Sequence, residues 1–215
     1  ENVNVTPYGP ESETDIEGAI TILENVVTSA PEAIVVASQS GEGAIPSVKT
    51  AMSQGIPVIT ADTAIPTDVI SHLATDNIAG GKIAAEAMVE ALEENGIEKK
   101  GTVVIEHVVV CDTDTQRGEG FEERLSELVP EINIVHSQYT DDEVAKAMTV
   151  TEDLITTYDD LIGVFGIDYN IGEGIALAIE QAWMREGGAL SLPVAGRLPG
   201  RYAVHAAVSY THLRA

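Results

Sequence analysis

The sequence predicts an α/β fold in which parallel β-sheets are flanked by helices. Short runs rich in β-branched residues alternate with amphipathic stretches of about 10–15 residues, which is typical of βαβ units. Consecutive units of this kind build a parallel sheet through right-handed crossovers. Of the 215 residues, 44% are hydrophobic and 21% are charged, which is a globular composition.

The first third of the chain supplies the first of these elements. The run AIVVA, Ala33–Ala37, is continuous and apolar, which predicts a strand buried on both faces. Apolar residues recur at helical spacing from Ile16 to Val27, with Thr14 or Asp15 as the predicted N-cap. The other predicted elements here are the strands Asn2–Tyr8, Ile56–Thr60 and Ser71–Asp76 and a helix over about Ala44–Gln54.

The same alternation continues from residue 77 onwards. The predicted strands are Gly101–Val110, Ile132–Tyr139 and Leu161–Ile167. The predicted helices are Asn77–Glu94, about Thr115–Leu128, Asp142–Thr157 and about Ile171–Ala182. Because α/β proteins bind ligands at the carboxyl ends of their strands, the residues directly after each strand are the candidates for a site.

The charge of the chain excludes two classes of partner. The formal net charge is −24 at pH 7. Nucleic acid and anionic lipid both require clustered Lys and Arg, so we predict no nucleic-acid partner and no docking on an anionic membrane. No apolar run approaches the roughly 20 residues of a membrane-spanning helix, and we predict no direct membrane insertion. The chain opens in the middle of the predicted pattern, which leaves room for a signal segment before Glu1.

The last stretch of the chain, residues 183–215, differs from the rest. Four of the 11 basic residues and one of the 35 acidic residues lie there, which gives this stretch +3 and leaves −27 on the 182 residues before it. We interpret it as a non-native tail from a frameshift or read-through, with a basic C-terminal arm as the alternative. It is therefore excluded from the fold prediction.

The side chains that follow the predicted strands are hydroxyls, amides, carboxylates and one guanidinium. A polyhydroxylated ligand suits this mixture because each of its hydroxyls both donates and accepts hydrogen bonds. Arg117 is placed in the first turn of its predicted helix, where the macrodipole disfavours a cation, so either a ligand or a salt bridge to Asp114 compensates. The candidate ligand-binding residues are Ser38, Asp62, Thr75, Arg117, Tyr139, Asp168 and Tyr169.

Catalytic, metal and cofactor motifs are not convincing anywhere in the sequence. The segment IAGGKIA fails as a phosphate-binding loop because Asp76 and Ile83 occupy the positions that need Gly and Ser or Thr. His72, His107 and His136 lack metal-ligand spacing, so we assign them structural roles. We predict no catalytic residue, no metal and no cofactor, and therefore a protein that is not an enzyme.

Four segments carry a resemblance to a known family. They are AIVVASQS with IPSVKTAMSQGIPVITADT, VISHLATDNIAGGKIAAEAM, QRGEGFEERL and, more loosely, LIGVFGIDYNIGEGIALAIEQA. Over about residues 2–182 the chain resembles the type I periplasmic binding proteins, in particular the ribose-binding-protein-like receptors of sugar ABC transporters. The resemblance implies two Rossmann-like lobes joined by a hinge, with sugar bound in the cleft between them. It assigns residues 1–75 to a first lobe that lacks its first strand and helix, and residues 76–182 to a second lobe. Compared with the family, the fold as a whole is truncated at both ends.

The resemblance also implies roles for individual residues. Asp62 matches the aspartate that accepts hydrogen bonds from sugar hydroxyls, and Arg117 matches the arginine that reaches the sugar from the second lobe. Thr75 matches a small hydroxyl residue at the first hinge crossing. Asp168 stands where the family usually has Asn, and Thr63 stands where the ribose receptor has Arg, which argues against ribose itself.

Sugar sites commonly stack an apolar ring face on an aromatic side chain. The stacking aromatics of the family would precede Glu1, and Tyr139 or Tyr169 is the predicted substitute.

The function implied by the resemblance is that of a solute-binding protein. It captures a monosaccharide or related polyol, closes about the hinge and delivers the ligand to a membrane permease of an ABC transporter, in the periplasm or on the extracellular face of the cell envelope. One alternative is the ligand-sensing domain of a LacI-type repressor, which an upstream helix-turn-helix would favour. The other is an α/β enzyme with Asp62 and Asp168 as acid and base, which turnover of a bound sugar would favour.

Overall fold

The computed structural model of the protein describes residues 3–12, 15–38, 40–185, 197–198 and 202–203. Its helices are α1 (Ile16–Thr28), α2 (Gly41–Ser53), α3 (Asn77–Glu94), α4 (Asp112–Leu128), α5 (Val144–Thr157) and α6 (Tyr169–Arg185). Its strands are β1 (Ile34–Ala37), β2 (Val58–Ala61), β3 (Ser71–Leu73), β4 (Gly101–His107), β5 (Ile132–Tyr139), β6 (Leu161–Gly166), β7 (Arg197–Leu198) and β8 (Tyr202–Ala203).

The chain divides into two compact units, and the division falls between Thr75 and Asp76. The first unit holds a parallel sheet of order β1-β2-β3, and the second unit holds a parallel sheet of order β5-β4-β6. The predicted α/β fold with parallel sheets is thereby confirmed. The short β7 and β8 pair antiparallel.

The first unit packs α1 and α2 against one face of its sheet. Asp15, one of the two predicted caps, accepts a hydrogen bond from the Gly18 amide at 2.9 Å and starts α1. The core is formed by apolar side chains of both helices and of the inward positions of the strands. Its buried members are Leu23, Val27, Ile34, Ala44, Val48, Ala51, Ile56, Val58 and Ile65.

The second unit covers both faces of its sheet with helices. Ile105 and Glu106 are successive residues of β4 and therefore point to opposite faces. A Cβ on Gly118 of α4 would lie 3.9 Å from Ile105, whereas Glu106 accepts a hydrogen bond from Thr151 of α5 at 2.9 Å. The β6 strand is buried along its whole length, as is β4 up to its last residue.

Two predictions for the first unit are wrong. Residues 3–10 form no strand and leave Val3 and Val5 about 80% exposed, because no strand of the described residues pairs with them. The run Ala33–Ala37 is not buried on both faces, since Val35 of β1 is 71% exposed. Helices cover only one face of this sheet among the residues that the structure describes.

The element boundaries around β4 and α4 also differ from the prediction. The strand ends at His107 rather than Val110, and α4 begins at Asp112, three residues before the predicted start. Arg117 therefore lies in the second turn of α4 and not in the first. Since the macrodipole effect is confined to the first turn, the predicted electrostatic cost at Arg117 is wrong.

Two further boundaries have a clear cause. Helix α5 begins at Val144 rather than Asp142, because Asp141 and Asp142 have positive φ angles of 55° and 62° that a helix cannot accommodate. Helix α6 continues to Arg185, and most of the predicted non-native tail over residues 183–215 lies outside the described residues.

Candidate functional site

The first unit brings three of the predicted site residues to the carboxyl edge of its sheet. Ser38 follows β1 directly, Asp62 follows β2 directly and Thr75 lies two residues after β3. The last residues of the three strands, Ala37, Ala61 and Leu73, are paired in register. Ser38 and Asp62 therefore follow neighbouring strand ends at one edge of the sheet.

Asp62 has the backbone conformation of a functional position. Its φ angle of 65° is left-handed, which aspartate tolerates better than most residues but which still carries strain. The Asp62 amide donates to the Leu73 carbonyl at 2.8 Å, so β3 holds this turn in place. The Asp62 side chain is exposed and its carboxylate can accept hydrogen bonds from a ligand.

Ser38 and Thr63, the two neighbours of Asp62 at this sheet edge, are more enclosed than Asp62. The Ser38 hydroxyl is buried and donates to the Ser40 carbonyl at 2.9 Å, so it shapes the loop that begins α2. Thr63, which stands in place of the ribose receptor's arginine, is 3% exposed, and its hydroxyl has no hydrogen-bond partner in the part of the chain that the structure describes.

The second unit places Arg117 and Asp168 close together. The Arg117 Nε donates to the Asn77 Oδ1 at 2.9 Å, and its Nη1 lies 3.5 Å from the Ile167 carbonyl oxygen. Ile167 follows β6 and precedes Asp168, so Arg117 reaches from α4 across to the end of β6. This arrangement sets a cation beside the carboxylate that the sequence predicted for the same site.

Asp168 lies beside the carboxyl of Asp142. The pKa of Asp168 is raised to about 7, mainly by burial and in addition by the Asp142 carboxyl, whereas the Ile171 amide and Arg117 oppose the shift. The Ile171 amide donates to the Asp168 Oδ1 at 2.9 Å, and the Asn170 Nδ2 donates to the Asp142 Oδ1 at 3.0 Å.

Protonation of Asp168 changes what it offers to a ligand. A carboxylic acid both donates and accepts, as does the amide of the asparagine that is usual in the family at this position. With a pKa of about 7, Asp168 therefore offers a donor in its protonated form as well as acceptors.

The two tyrosines of the predicted site lie at strand and helix ends of the second unit. Tyr139 is the last residue of β5 and is 46% exposed, and Tyr169 is the first residue of α6 and is 63% exposed. The Tyr139 ring centroid lies 5.8 Å from that of His107. Both rings are accessible enough to stack on a ligand.

The histidines have protein partners. His107 Nε2 lies 2.8 Å from His136 Nδ1, and His107 Nδ1 lies 3.3 Å from the carboxylate of Asp114. His72 Nδ1 lies 2.8 Å from the Thr60 hydroxyl. Within the described part of the chain, no group of three or more His, Cys, Asp or Glu side chains is arranged to hold a metal ion.

Sequence reasoning missed three residues of this region. The sequence predicts Asn77 only as the first residue of a helix, yet Asp76 caps that helix and Asn77 accepts a hydrogen bond from Arg117. Asp142 is the first residue of a predicted helix and Asn170 is one of the polar residues after a predicted strand, and no periodicity or motif signals their contacts with the Asp168 region. A polar residue that follows an already satisfied cap, as Asn77 does, is the one available signal.

Comparison with known proteins identifies the family. Residues 1–190 match the family described as periplasmic binding protein domain. Because this match spans most of the 215 residues, the chain belongs to that family. The resemblance predicted from the four sequence segments is therefore confirmed.

Individual relatives are receptors of sugar importers. The ribose import binding protein of Haemophilus influenzae is 27% identical over 173 residues, which cover 80% of this chain and 57% of that protein. An ABC transporter solute-binding protein from Agrobacterium vitis, solved with bound D-fucose, is 28% identical to this chain and superimposes with a TM-score of 0.78. The match covers 89% of this chain and 64% of that protein. A carbohydrate transporter solute-binding protein from Agrobacterium radiobacter, solved with D-arabinose, is 31% identical to this chain and superimposes with a TM-score of 0.75. The match covers 82% of this chain and 60% of that protein.

The chain spans about half the length of the curated relatives that it matches. No helix among the described residues is both long and apolar enough to cross a membrane.

Proposed function

We propose that the chain is the sugar-binding part of a solute-binding protein that serves an ABC transporter. The observation that carries the proposal is its likeness to the Agrobacterium vitis protein, whose structure holds D-fucose. The polar side chains at the carboxyl ends of both sheets support it, because they offer the donors and acceptors that sugar hydroxyls require. The relatives named above are binding proteins of importers, which favours this function over a repressor domain and over an enzyme.

In this proposal each unit contributes half of the ligand contacts. Asp62 of the first unit accepts hydrogen bonds from ligand hydroxyls, with Ser38 and Thr75 beside it at the same sheet edge. In the second unit Arg117 donates to the ligand, and Asp168 donates when protonated and accepts when ionised.

Tyr139 and Tyr169 complete the second half of the site as candidate stacking side chains. The ligand class is a monosaccharide or a related polyol, and no cofactor takes part. The partner is the membrane permease of the transporter, which places the protein in the periplasm or on the extracellular face of the cell envelope.

The test is a thermal melt of the purified chain with D-ribose, D-allose, D-fucose, D-arabinose and xylitol. At a 100-fold excess over Kd, one site stabilises the folded protein by about 2.7 kcal/mol, which raises Tm by a few degrees. We expect Arg117→Ala to abolish this shift. The matched control is Arg124→Ala on the same helix, since Arg124 pairs with the surface carboxylates of Glu86 and Glu127 and lies outside the proposed site.

A Tm shift with one sugar that survives Arg124→Ala and disappears in Arg117→Ala supports the proposal. A cooperative melt that none of the five sugars moves contradicts the function as stated, and an equal shift in Arg117→Ala contradicts the assignment of that arginine.

A further inference from the structure

Asn77 is a buried amide that contacts the proposed ligand-binding arginine. Its side chain is the acceptor for Arg117 Nε at 2.9 Å, and the residue is only 2% exposed. An amide placed inside a protein without a partner would be unfavourable, so the hydrogen bond to the guanidinium satisfies Asn77 as well as orienting Arg117.

Helix capping does not explain Asn77. Asp76 is the N-cap of α3, and its Oδ1 accepts from the Ala79 amide at 2.9 Å. Asn77 is the first residue of the helix, where its side chain has no capping bond left to make. Its side-chain oxygen is directed to α4 instead.

The backbones of α3 and α4 approach unusually closely beside this contact. A Cβ added to Gly81 would overlap the Arg117 carbonyl oxygen, and a Cβ added to Gly120 would overlap the Ile78 carbonyl oxygen. Glycine at both positions lets the two helices touch backbone to backbone. The close approach brings the first residue of α3 within hydrogen-bonding distance of the Arg117 side chain.

The guanidinium is held from two elements at once. Asn77 on α3 binds Nε, and the Ile167 carbonyl after β6 lies 3.5 Å from Nη1. A mobile arginine side chain loses rotamer entropy when it is fixed. Contacts that fix the plane of the guanidinium before the ligand arrives remove part of that cost from binding.

We propose that Asn77 is a positioning residue for Arg117. It does not touch the ligand; it fixes the plane of the guanidinium so that Arg117 is preorganised to donate hydrogen bonds to a sugar. The expected gain in sugar affinity rests on the proposed function, but the contact between Asn77 and Arg117 exists without any ligand. Its test is therefore designed with one measurement that needs no sugar.

The variants are Asn77→Ala, which removes the acceptor, and Asn77→Asp, which keeps an oxygen in its place. The matched control is Asn95→Ala at the other end of α3, where the Asn95 Nδ2 donates to the Ala91 carbonyl at 2.8 Å. This control removes a side-chain hydrogen bond from the same helix at a distance from Arg117. It therefore separates loss of helix stability from loss of arginine orientation.

The first measurement is NMR of the arginine Nε–Hε groups in the ligand-free full chain. The Arg117 signal is assigned by its loss in Arg117→Lys. We expect the Arg117 Hε to exchange slowly with water in the unmodified chain and in Asn95→Ala, and to exchange at least tenfold faster in Asn77→Ala. Equal exchange in Asn77→Ala and the unmodified chain overturns the positioning role.

The second measurement is the affinity for D-fucose and D-arabinose by calorimetry. We expect Asn77→Ala to weaken binding by about 10- to 100-fold, the range for a hydrogen bond to a charged group, and Asn77→Asp to restore most of it. Asn95→Ala should keep the original affinity. An unchanged affinity in Asn77→Ala, together with loss of binding in Arg117→Ala, overturns the inference.

The two measurements distinguish the failure of each proposal. If the unmodified chain binds neither sugar but its Arg117 Hε loses protection in Asn77→Ala, the proposed ligand class fails while the positioning contact stands. If a sugar binds and the Hε exchange is the same with and without Asn77, the positioning inference fails while the proposed function stands.

Discussion

The two units of the molecule bury their sheets differently. In the second unit, helices cover both faces, and Val103, Val104 and Ile105 of β4 are all 0% exposed. In the first unit, helices of the described residues cover one face, which leaves Val35 of β1 71% exposed and Leu73 of β3 63% exposed.

This difference matters because parallel sheets are stable when both faces are covered. The second unit carries its own complete three-layer core, and Arg117 and Asp168 are attached to it. The first unit carries Asp62 on a sheet whose second apolar face is not covered by any helix of the described residues. We therefore expect the second unit to open less often than the first, and the second half of the proposed site to be the more rigid half.

The largest expected effect comes from the core of the second unit. Phe121 is 0% exposed and stacks on Phe165 with ring centroids 4.2 Å apart. Phe121→Ala should lower the free energy of unfolding of this unit by about 3–5 kcal/mol, the usual cost of such a cavity. The control Val35→Ala should change the free energy of unfolding of the first unit by no more than about 0.5 kcal/mol. Urea unfolding followed by NMR peaks of each unit measures both, and equal costs would remove the proposed difference between the units.

The second prediction concerns a buried carboxyl that weakens the second unit at alkaline pH. Glu106 is 0% exposed, and burial raises its pKa to about 8, against the hydrogen bond from Thr151. Because the pKa of Glu106 is higher in the folded state than its unfolded value of about 4.5, Glu106 stabilises the folded state fully only below that pH. This contribution to stability is lost as the pH rises to about 8. The loss is on the order of 4 kcal/mol.

Thermal melts of the second unit between pH 5 and pH 9 test this effect. Glu106→Gln keeps an acceptor for Thr151 but cannot ionise, so it should melt less steeply with rising pH than the unmodified chain. Glu131→Gln, at an exposed carboxyl, is the control for the loss of one formal charge. Parallel pH profiles for the unmodified chain and Glu106→Gln would show that Glu106 is not protonated in the folded protein.

The smallest expected effect compares two adjacent glycines of α3. A Cβ on Gly81 would overlap the Arg117 carbonyl, whereas a Cβ on Gly80 meets nothing within 4 Å. Gly81→Ala should destabilise the second unit by about 1–3 kcal/mol through overpacking. Gly80→Ala should stabilise it by about 0.5–1 kcal/mol, because alanine favours a helix. If both variants raise Tm in calorimetry, the close packing of α3 on α4 is refuted.

The contrast between the units also explains which sequence predictions succeeded. Helical periodicity and apolar runs predicted the βαβ alternation because burial enforces both patterns locally. The same reasoning failed at Ala33–Ala37, since whether the second face of β1 is covered depends on residues distant in sequence. It also placed Arg117 in the wrong turn, because apolar periodicity does not reveal that α4 begins in the polar stretch at Asp112.

The contacts at the candidate site were harder to predict for a related reason. Asp168 and Arg117 were found because both follow strands, and strand ends share an edge. The contact of Asn77 with Arg117 and the influence of Asp142 on Asp168 join residues that are 40 and 26 positions apart. They depend on how tightly α3 packs on α4 and on the turn before α5. A local sequence pattern does not reveal how closely two helices pack or how deeply a carboxyl is buried.

The central claim is that the polar residues at the carboxyl ends of the two sheets contact the sugar, and an NMR titration of the ¹⁵N-labelled chain tests it most directly. D-fucose, D-arabinose and D-allose are added in turn, and the backbone amide signals of Asp62, Arg117 and Asp168 are followed. The account predicts that at least one sugar shifts all three signals and that the three saturate at the same sugar concentration. Shifts confined to one unit, or shifts that leave all three residues unmoved, would contradict it.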